Sequence, residues 1–192
     1  MKSRCPWPGD DPLYIEYHDK EWGVPVRDDV KQFEFLILEG MQAGLSWLTI
    51  LKKRENFRKA FDGFDAERMA RYSKREFKRL MNDAGIIRNE QKIRAAIANA
   101  GVFLTVQEEF GSFSDYIWGF VDGRPILNRW KNLKQLPAKT KLSDEISRDL
   151  KARGFKFVGS TIVYAHMQAT GMVNDHLVDC FRYKALAGGR IS

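Results

Sequence analysis

Apolar residues in this chain recur at helical spacing, and period-two alternation is weak from end to end, so a sheet is excluded as its framework. Asp28 or Asp29 can cap a helix that carries Phe33, Leu36, Ile37 and Gly40 along one face. A second helix reads from about 45 to 60, with Leu48, Leu51 and Phe57 inside. Ser73 and Glu76 match the capping-box pattern and open a third, with Phe77 and Leu80 facing inward. Gly85 then breaks the chain, and the helix beyond it sets Ile93, Ala96, Ile97, Ala100 and Leu104 on one face. Between 119 and 140, Asp122-Gly123, Pro125 and Pro137 mark turns and breaks. Two more helices are expected near 143–152 and 158–171. The predicted fold class is all-α.

With 192 residues, 44% of them hydrophobic, the chain can fill a core of its own. One domain over 1–192 is expected. No apolar run approaches the roughly 20 residues that cross a bilayer, and the first residues carry no apolar signal core. A cytoplasmic protein without membrane contact is the expectation. Lysine and arginine exceed aspartate and glutamate by 32 to 25, a net charge of +7, which favours a polyanionic partner.

The two cysteines, Cys5 and Cys180, stand at opposite ends of the chain. A disulfide between them is disfavoured in a reducing compartment. Each has a histidine near it: His18 follows Cys5, and His176 precedes Cys180 by four positions. On a helix that spacing would put His176 and Cys180 on one face. Together the four residues can form the closed tetrahedron of a structural zinc, one ion per chain. Neither half has a zinc-finger spacing, so ordinary surface or core residues are the competing account. His166 has no partner at ligand spacing and reads as a packed or capping residue.

Two further features bear on function. The segment 80–93 reads as helix, glycine-bearing turn, helix, a geometry whose backbone N–H groups suit a phosphate; Arg88 and Lys92 add charge there. A plain helix–helix turn would look the same. The second feature is Glu39, which falls angularly between Phe35 and Leu36, inside the apolar arc of its helix. A carboxylate there needs a partner or residual solvent, and such acids are candidate functional groups.

Six motifs in order carry a resemblance: Arg4-Cys-Pro-Trp7, the run from Asp11 to Pro25, Leu38-Glu-Gly-Met-Gln-Ala-Gly-Leu-Ser-Trp47, Asp83-Ala-Gly-Ile-Ile-Arg88, Arg153-Gly-Phe-Lys-Phe-Val-Gly159 and Val173-Asn-Asp-His176. The chain resembles the bacterial 3-methyladenine DNA glycosylase I family, a divergent branch of the helix-hairpin-helix glycosylases. The resemblance implies hydrolytic excision of 3-methyladenine from alkylated double-stranded DNA by a monomer, with the free base as product. It implies zinc at Cys5, His18, His176 and Cys180, in a subdomain of about 1–30 with 160–192, against a helix-hairpin-helix core of about 31–159. Glu39 matches the family's base-contacting, catalytic carboxylate. Tyr17 and Trp47 match the aromatics that sandwich the flipped base, with Trp7 and Tyr14 nearby. Gly44 and Leu45 fall where a loop plugs the duplex, while Gly85, Arg88 and Lys92 face the backbone.

Two absences complete the implication. Most helix-hairpin-helix glycosylases carry an aspartate some 20 residues after the hairpin; here 93–107 contains no acid. A methylated base is a good leaving group and needs less assistance. No lysine beside the hairpin suits a Schiff base, so a monofunctional enzyme that leaves an abasic site is expected.

Overall fold

The computed structural model describes residues 3–188, so the outermost residues of the expected end subdomain, 1–2 and 189–192, lie outside the described residues. Ten α-helices follow in order: α1 Pro12–Lys20, α2 Asp29–Gln42, α3 Trp47–Ala60, α4 Ala66–Ala70, α5 Lys74–Asn82, α6 Glu90–Phe110, α7 Phe113–Gly119, α8 Lys141–Arg153, α9 Ser160–Ala169 and α10 Phe181–Ala187. Two short strands, β1 Ile126–Leu127 and β2 Val173–Asn174, pair in parallel with Ile126 opposite Val173. They tie the irregular 120–140 segment to the chain's last quarter.

The all-α expectation holds, with local corrections. Asp28 caps α2 as read, its side chain accepting from the Lys31 N–H at 2.8 Å. Ser73 and Glu76 form the expected capping box. The second helix starts at Trp47, because Ser46 caps it by accepting from the Thr49 N–H. Asp29 also reaches across the fold, its carboxylate accepting from the Phe113 and Ser114 N–H groups at 2.9 and 2.8 Å. It thereby fixes the start of α7 against α2.

Helix α2 is the axis of the molecule. Every residue from Gln32 to Met41 is buried, because α3, α6, α7 and α9 surround it. The one-faced reading of this helix underestimated it. A helix wrapped on all sides must match its polar groups internally or leave them facing a cavity. At its far end Gly44 takes φ +78°, turning the chain into α3. Gly171, after α9, is needed for packing as well: a Cβ there would lie 2.5 Å from the Pro25 nitrogen.

Candidate active site and metal cluster

A cavity of about 260 Å³ lies at the C-terminal end of α2. Its aromatic wall is Trp7, Tyr14, Tyr17, Trp22 and Trp47. Glu39 and Gln42, one turn apart on α2, share it with Leu133, Leu136, Ala165 and Gln168. Trp7 packs edge-on against Tyr14 and Trp22, with centroids 4.9 and 5.0 Å apart. Tyr17 and Trp47 meet directly at 5.5 Å with planes tilted 45°. A base between two parallel faces needs ring centres about 7 Å apart, twice the carbon contact distance of about 3.5 Å. Without a base between them, Tyr17 and Trp47 touch each other, and both line the cavity.

Three acidic or amide side chains are buried along α2, and two are matched. Gln32 donates to the Val26 carbonyl at 2.8 Å and faces His166 Nε2 at 2.8 Å. His166 is thus a packed residue, as expected, and burial pushes its pKa down to about 4. Glu34 accepts from Arg58 Nη2 at 2.7 Å. Glu39 is 4% exposed and has no hydrogen-bond or ion-pair partner among the described residues. Burial alone pushes its pKa up to about 8. Tyr14 and Tyr17 are raised too, first by burial and then by the Glu39 charge. Trp47 Nε1 is buried without an acceptor. The cavity thus combines aromatic faces, an unmatched carboxyl group and an unmatched indole donor.

Beside it, Cys5, His18, His176 and Cys180 are all buried, and their ligand atoms lie within 4.8 Å of one another. Cys180 Sγ is 3.5 Å from His18 Nε2 and 3.6 Å from His176 Nδ1, and Cys5 Sγ is 3.7 Å from His176 Nδ1. The outer nitrogens are engaged as well. His18 Nδ1 meets Asp19 Oδ1 at 2.8 Å, and His176 Nε2 meets the Trp22 carbonyl at 3.0 Å. Arg4 holds Asp19 in turn with Nη2 at 2.7 Å. These outer contacts turn the inner nitrogens of both rings towards the sulfurs, so the cluster can hold a metal ion. Residues 175–180 are turns here, not a helix, so His176 and Cys180 converge through a loop that ends at the start of α10.

A profile of methyladenine glycosylases matches residues 7–183. The chain belongs to the methyladenine glycosylase family. DNA-3-methyladenine glycosylase 1 of Escherichia coli (strain K12) is 51% identical over 94% of this chain and 97% of its own length. DNA-3-methyladenine glycosylase of Haemophilus influenzae is 47% identical over the same shares. A crystal structure of 3-methyladenine DNA glycosylase I superposes with a TM-score of 0.91 at 51% identity, covering 93% of this chain and 98% of that one. The Staphylococcus aureus enzyme, whose structure describes 3-methyladenine recognition, superposes at 0.90 with 36% identity over 93% and 95% of the two chains.

In this family member the residues expected at the duplex are distributed unevenly. Gly44 and Leu45 project from the α2–α3 turn, with Leu45 42% exposed. Arg88 is exposed on the turn between α5 and α6. Gly85 lets that turn approach α3, where a Cβ would meet Asn56 at 3.2 Å, yet its N–H is taken by Asp83 Oδ1 at 2.7 Å. Lys92 requires a correction. Its ammonium donates to the Met41 and Ala43 carbonyls at 2.8 and 2.6 Å and is buried, so it braces the end of α2 and does not reach out to a phosphate. Among cavity residues, sequence reading missed Gln42, which shares a face with Glu39 one turn earlier. Leu133, Leu136, Ala165 and Gln168 carried no signal, because tertiary folding alone brings them there.

Proposed function

We infer that this chain is a DNA repair enzyme that excises 3-methyladenine from DNA, like the relatives named for that activity, and that it reads the charge of the damaged base. The observation that carries this reading is the unpartnered Glu39 inside an aromatic cavity. Methylation at N3 gives the attached adenine a delocalised positive charge. A cation over aromatic faces gains about 2 kcal/mol when desolvated, and a carboxylate at its edge adds a charge-assisted hydrogen bond. Neutral adenine offers Glu39 the same amino donor but no charge, so it gains less from the carboxylate and the aromatic faces. At about 260 Å³ the cavity is below the range of drug-sized sites and suits a single base. Support also comes from a relative at 35% identity and TM-score 0.90, whose structure is a complex with 3-methyladenine.

In the reaction, the base leaves the stack at a cost of a few kcal/mol, with Leu45 on the exposed turn placed to occupy the gap. Water adds to the sugar C1′ as the bond to N9 breaks. The electron pair leaves with the base and neutralises it, and water's proton is released. Holding the cation tightly lowers KM without raising kcat. Acceleration therefore requires that the cavity strain the sugar bond or that Glu39 also stabilise the positive charge developing on the sugar. Among the described residues no lysine lines the cavity, which supports hydrolysis to an abasic site without strand cleavage.

Zinc is the metal that best suits the four-residue cluster. Bonds of about 2.3 Å to sulfur and 2.0–2.1 Å to nitrogen at tetrahedral angles put the two atom types about 3.6 Å apart. Three of the four sulfur–nitrogen separations run from 3.5 to 3.7 Å, and all four ligand atoms lie within 4.8 Å of one another. All four positions come from protein, so the ion would stabilise the joined chain ends and supply no chemistry to the reaction. Those ends form the proposed subdomain, on a monomeric cytoplasmic enzyme. None of the described helices is long and apolar enough to cross a membrane.

The test is to incubate the protein with methylated DNA and separate the released bases by chromatography. Release of 3-methyladenine, with strands that break only after alkali, is expected. Release of 7-methylguanine alone, or of nothing, would sink the reading.

A further inference from the structure

Two lysines cross between the turns that carry Leu45 and Arg88. Lys92, on the first turn of α6, donates its ammonium to the Met41 and Ala43 carbonyls at 2.8 and 2.6 Å, where α2 runs into the α2–α3 turn. Lys53, on α3, donates to the Ala84 and Gly85 carbonyls at 3.1 and 3.2 Å, in the α5–α6 turn. Asn56, also on α3, adds a bond from Nδ2 to the Gly85 carbonyl at 3.3 Å. Each turn is thus held by a lysine from the helix that follows the other turn. Neither ammonium has a carboxylate partner among the described residues, so both charges act on backbone carbonyls alone. The last carbonyls of a helix lack intrahelical partners and carry negative partial charge, which suits Lys92 at the end of α2. Asn89 caps α6 by accepting from the Lys92 N–H at 3.0 Å, so that lysine reaches out from a fixed backbone.

We propose that Lys53 and Lys92 form a reciprocal brace that fixes Leu45 relative to Arg88, which makes both lysines positioning residues for base extrusion. This rests on the reading of Arg88 as a phosphate contact and of Leu45 as the side chain that occupies the gap left by the base. Contacts to phosphates register a protein on the duplex without reading sequence. Such a grip assists extrusion only while it keeps a fixed separation from the group that enters the stack. If the two turns shift independently, the strain of docking is absorbed by the protein and the base pair stays closed. Turns lack the repeating hydrogen bonds of a helix, so their geometry depends on contacts of this kind. Misplacement by about 1 Å can slow a reaction about a hundredfold. Neither lysine lines the aromatic cavity, so the base site itself should survive the loss of the brace.

The experiment measures release of 3-methyladenine from methylated duplex DNA in a single turnover at saturating enzyme. Lys53→Met keeps the aliphatic stem of a half-buried side chain and removes its two carbonyl bonds. It should slow release roughly tenfold or more. Its affinity for free 3-methyladenine, followed by tryptophan fluorescence, and the salt slope of its DNA binding should both match the wild type. Lys53→Arg, which keeps a cation facing the carbonyls, should recover most of the rate. Leu45→Ala should slow release as well, and combining it with Lys53→Met should add little, because both remove one coupled action. Unchanged release by Lys53→Met would overturn the proposal. So would losses that multiply in the double variant, or a parallel loss of free-base affinity, since a merely structural role predicts those results. A lower salt slope in Lys53→Met would make that lysine a phosphate contact and overturn it too. Two further failures are distinct: Leu45→Ala without effect refutes the reading of Leu45, and a wild type that releases no 3-methyladenine refutes the glycosylase reading itself.

Discussion

Replacing Glu39 with glutamine should make the protein more stable while abolishing its chemistry. The folded pKa of Glu39 is about 8 against an ordinary 4.5, with burial as the cause. The folded protein therefore keeps a proton that the unfolded chain loses above pH 4.5. Stability from this group is fully present below that pH, falls as pH rises from 4.5 to 8, and is level beyond. Every pH unit between those two values corresponds to about 1.36 kcal/mol, so the ionised group costs about 5 kcal/mol above pH 8 and about 3 kcal/mol at pH 7. Glutamine has the same shape and no charge to desolvate. For a chain of this size, about 3 kcal/mol is worth roughly 6–12 °C in melting temperature. Urea unfolding at pH 5, 7 and 8.5 should show an advantage for Glu39→Gln that starts below about 1 kcal/mol and widens at each step. Parallel profiles for wild type and variant would refute the reasoning, because they would mean that Glu39 is not strained by burial.

The same carboxyl group should appear in catalysis. Its charged form is needed for a cationic base, so kcat/KM should rise about tenfold per pH unit from pH 6, level off near pH 8, and lose that rise in Glu39→Gln; a flat wild-type profile contradicts this. Elemental analysis should find one zinc per chain, and Cys180→Ser should lower the melting temperature by on the order of 10 °C; metal-free protein of unchanged melting temperature rules out the clamp. For DNA binding, Arg88→Ala should reduce the slope of log affinity against log salt by about 0.9, whereas Lys92→Met should leave it unchanged. An equal loss from both would put Lys92 back on the phosphate.

How much of this was legible in the sequence follows the range of the interactions. Capping residues such as Asp28 and Ser73 act within one turn, and both were readable. Glu39 was readable because three neighbouring positions on one helix define an apolar arc. The full burial of α2 was not, since it depends on four other helices closing round it. Lys92 sits at the right place for a phosphate contact, and only the folded chain brings the Met41 and Ala43 carbonyls within its reach. The metal cluster was guessed from residue types with the wrong local geometry, because a turn can converge side chains as a helix does. Asp175 stands in one of the six motifs, but its contacts with Asn128 and Trp130 were not legible, because those residues lie on a segment with no periodicity to read.

The cavity draws Trp7, Tyr14 and Tyr17 from one stretch of sequence and Ala165 and Gln168 from another about 150 positions later, beside the cluster of Cys5, His18, His176 and Cys180 that could hold a metal ion. During synthesis, then, the ribosome must deliver the chain from Trp7 through Gln168 before this cavity can close. A nascent chain can pack α2 to α6 while still attached, since those contacts are local and quick to form. The aromatic cavity is the last piece to assemble. Fragments released early by stalling or proteolysis would lack one wall of the cavity and two of the four residues of the cluster.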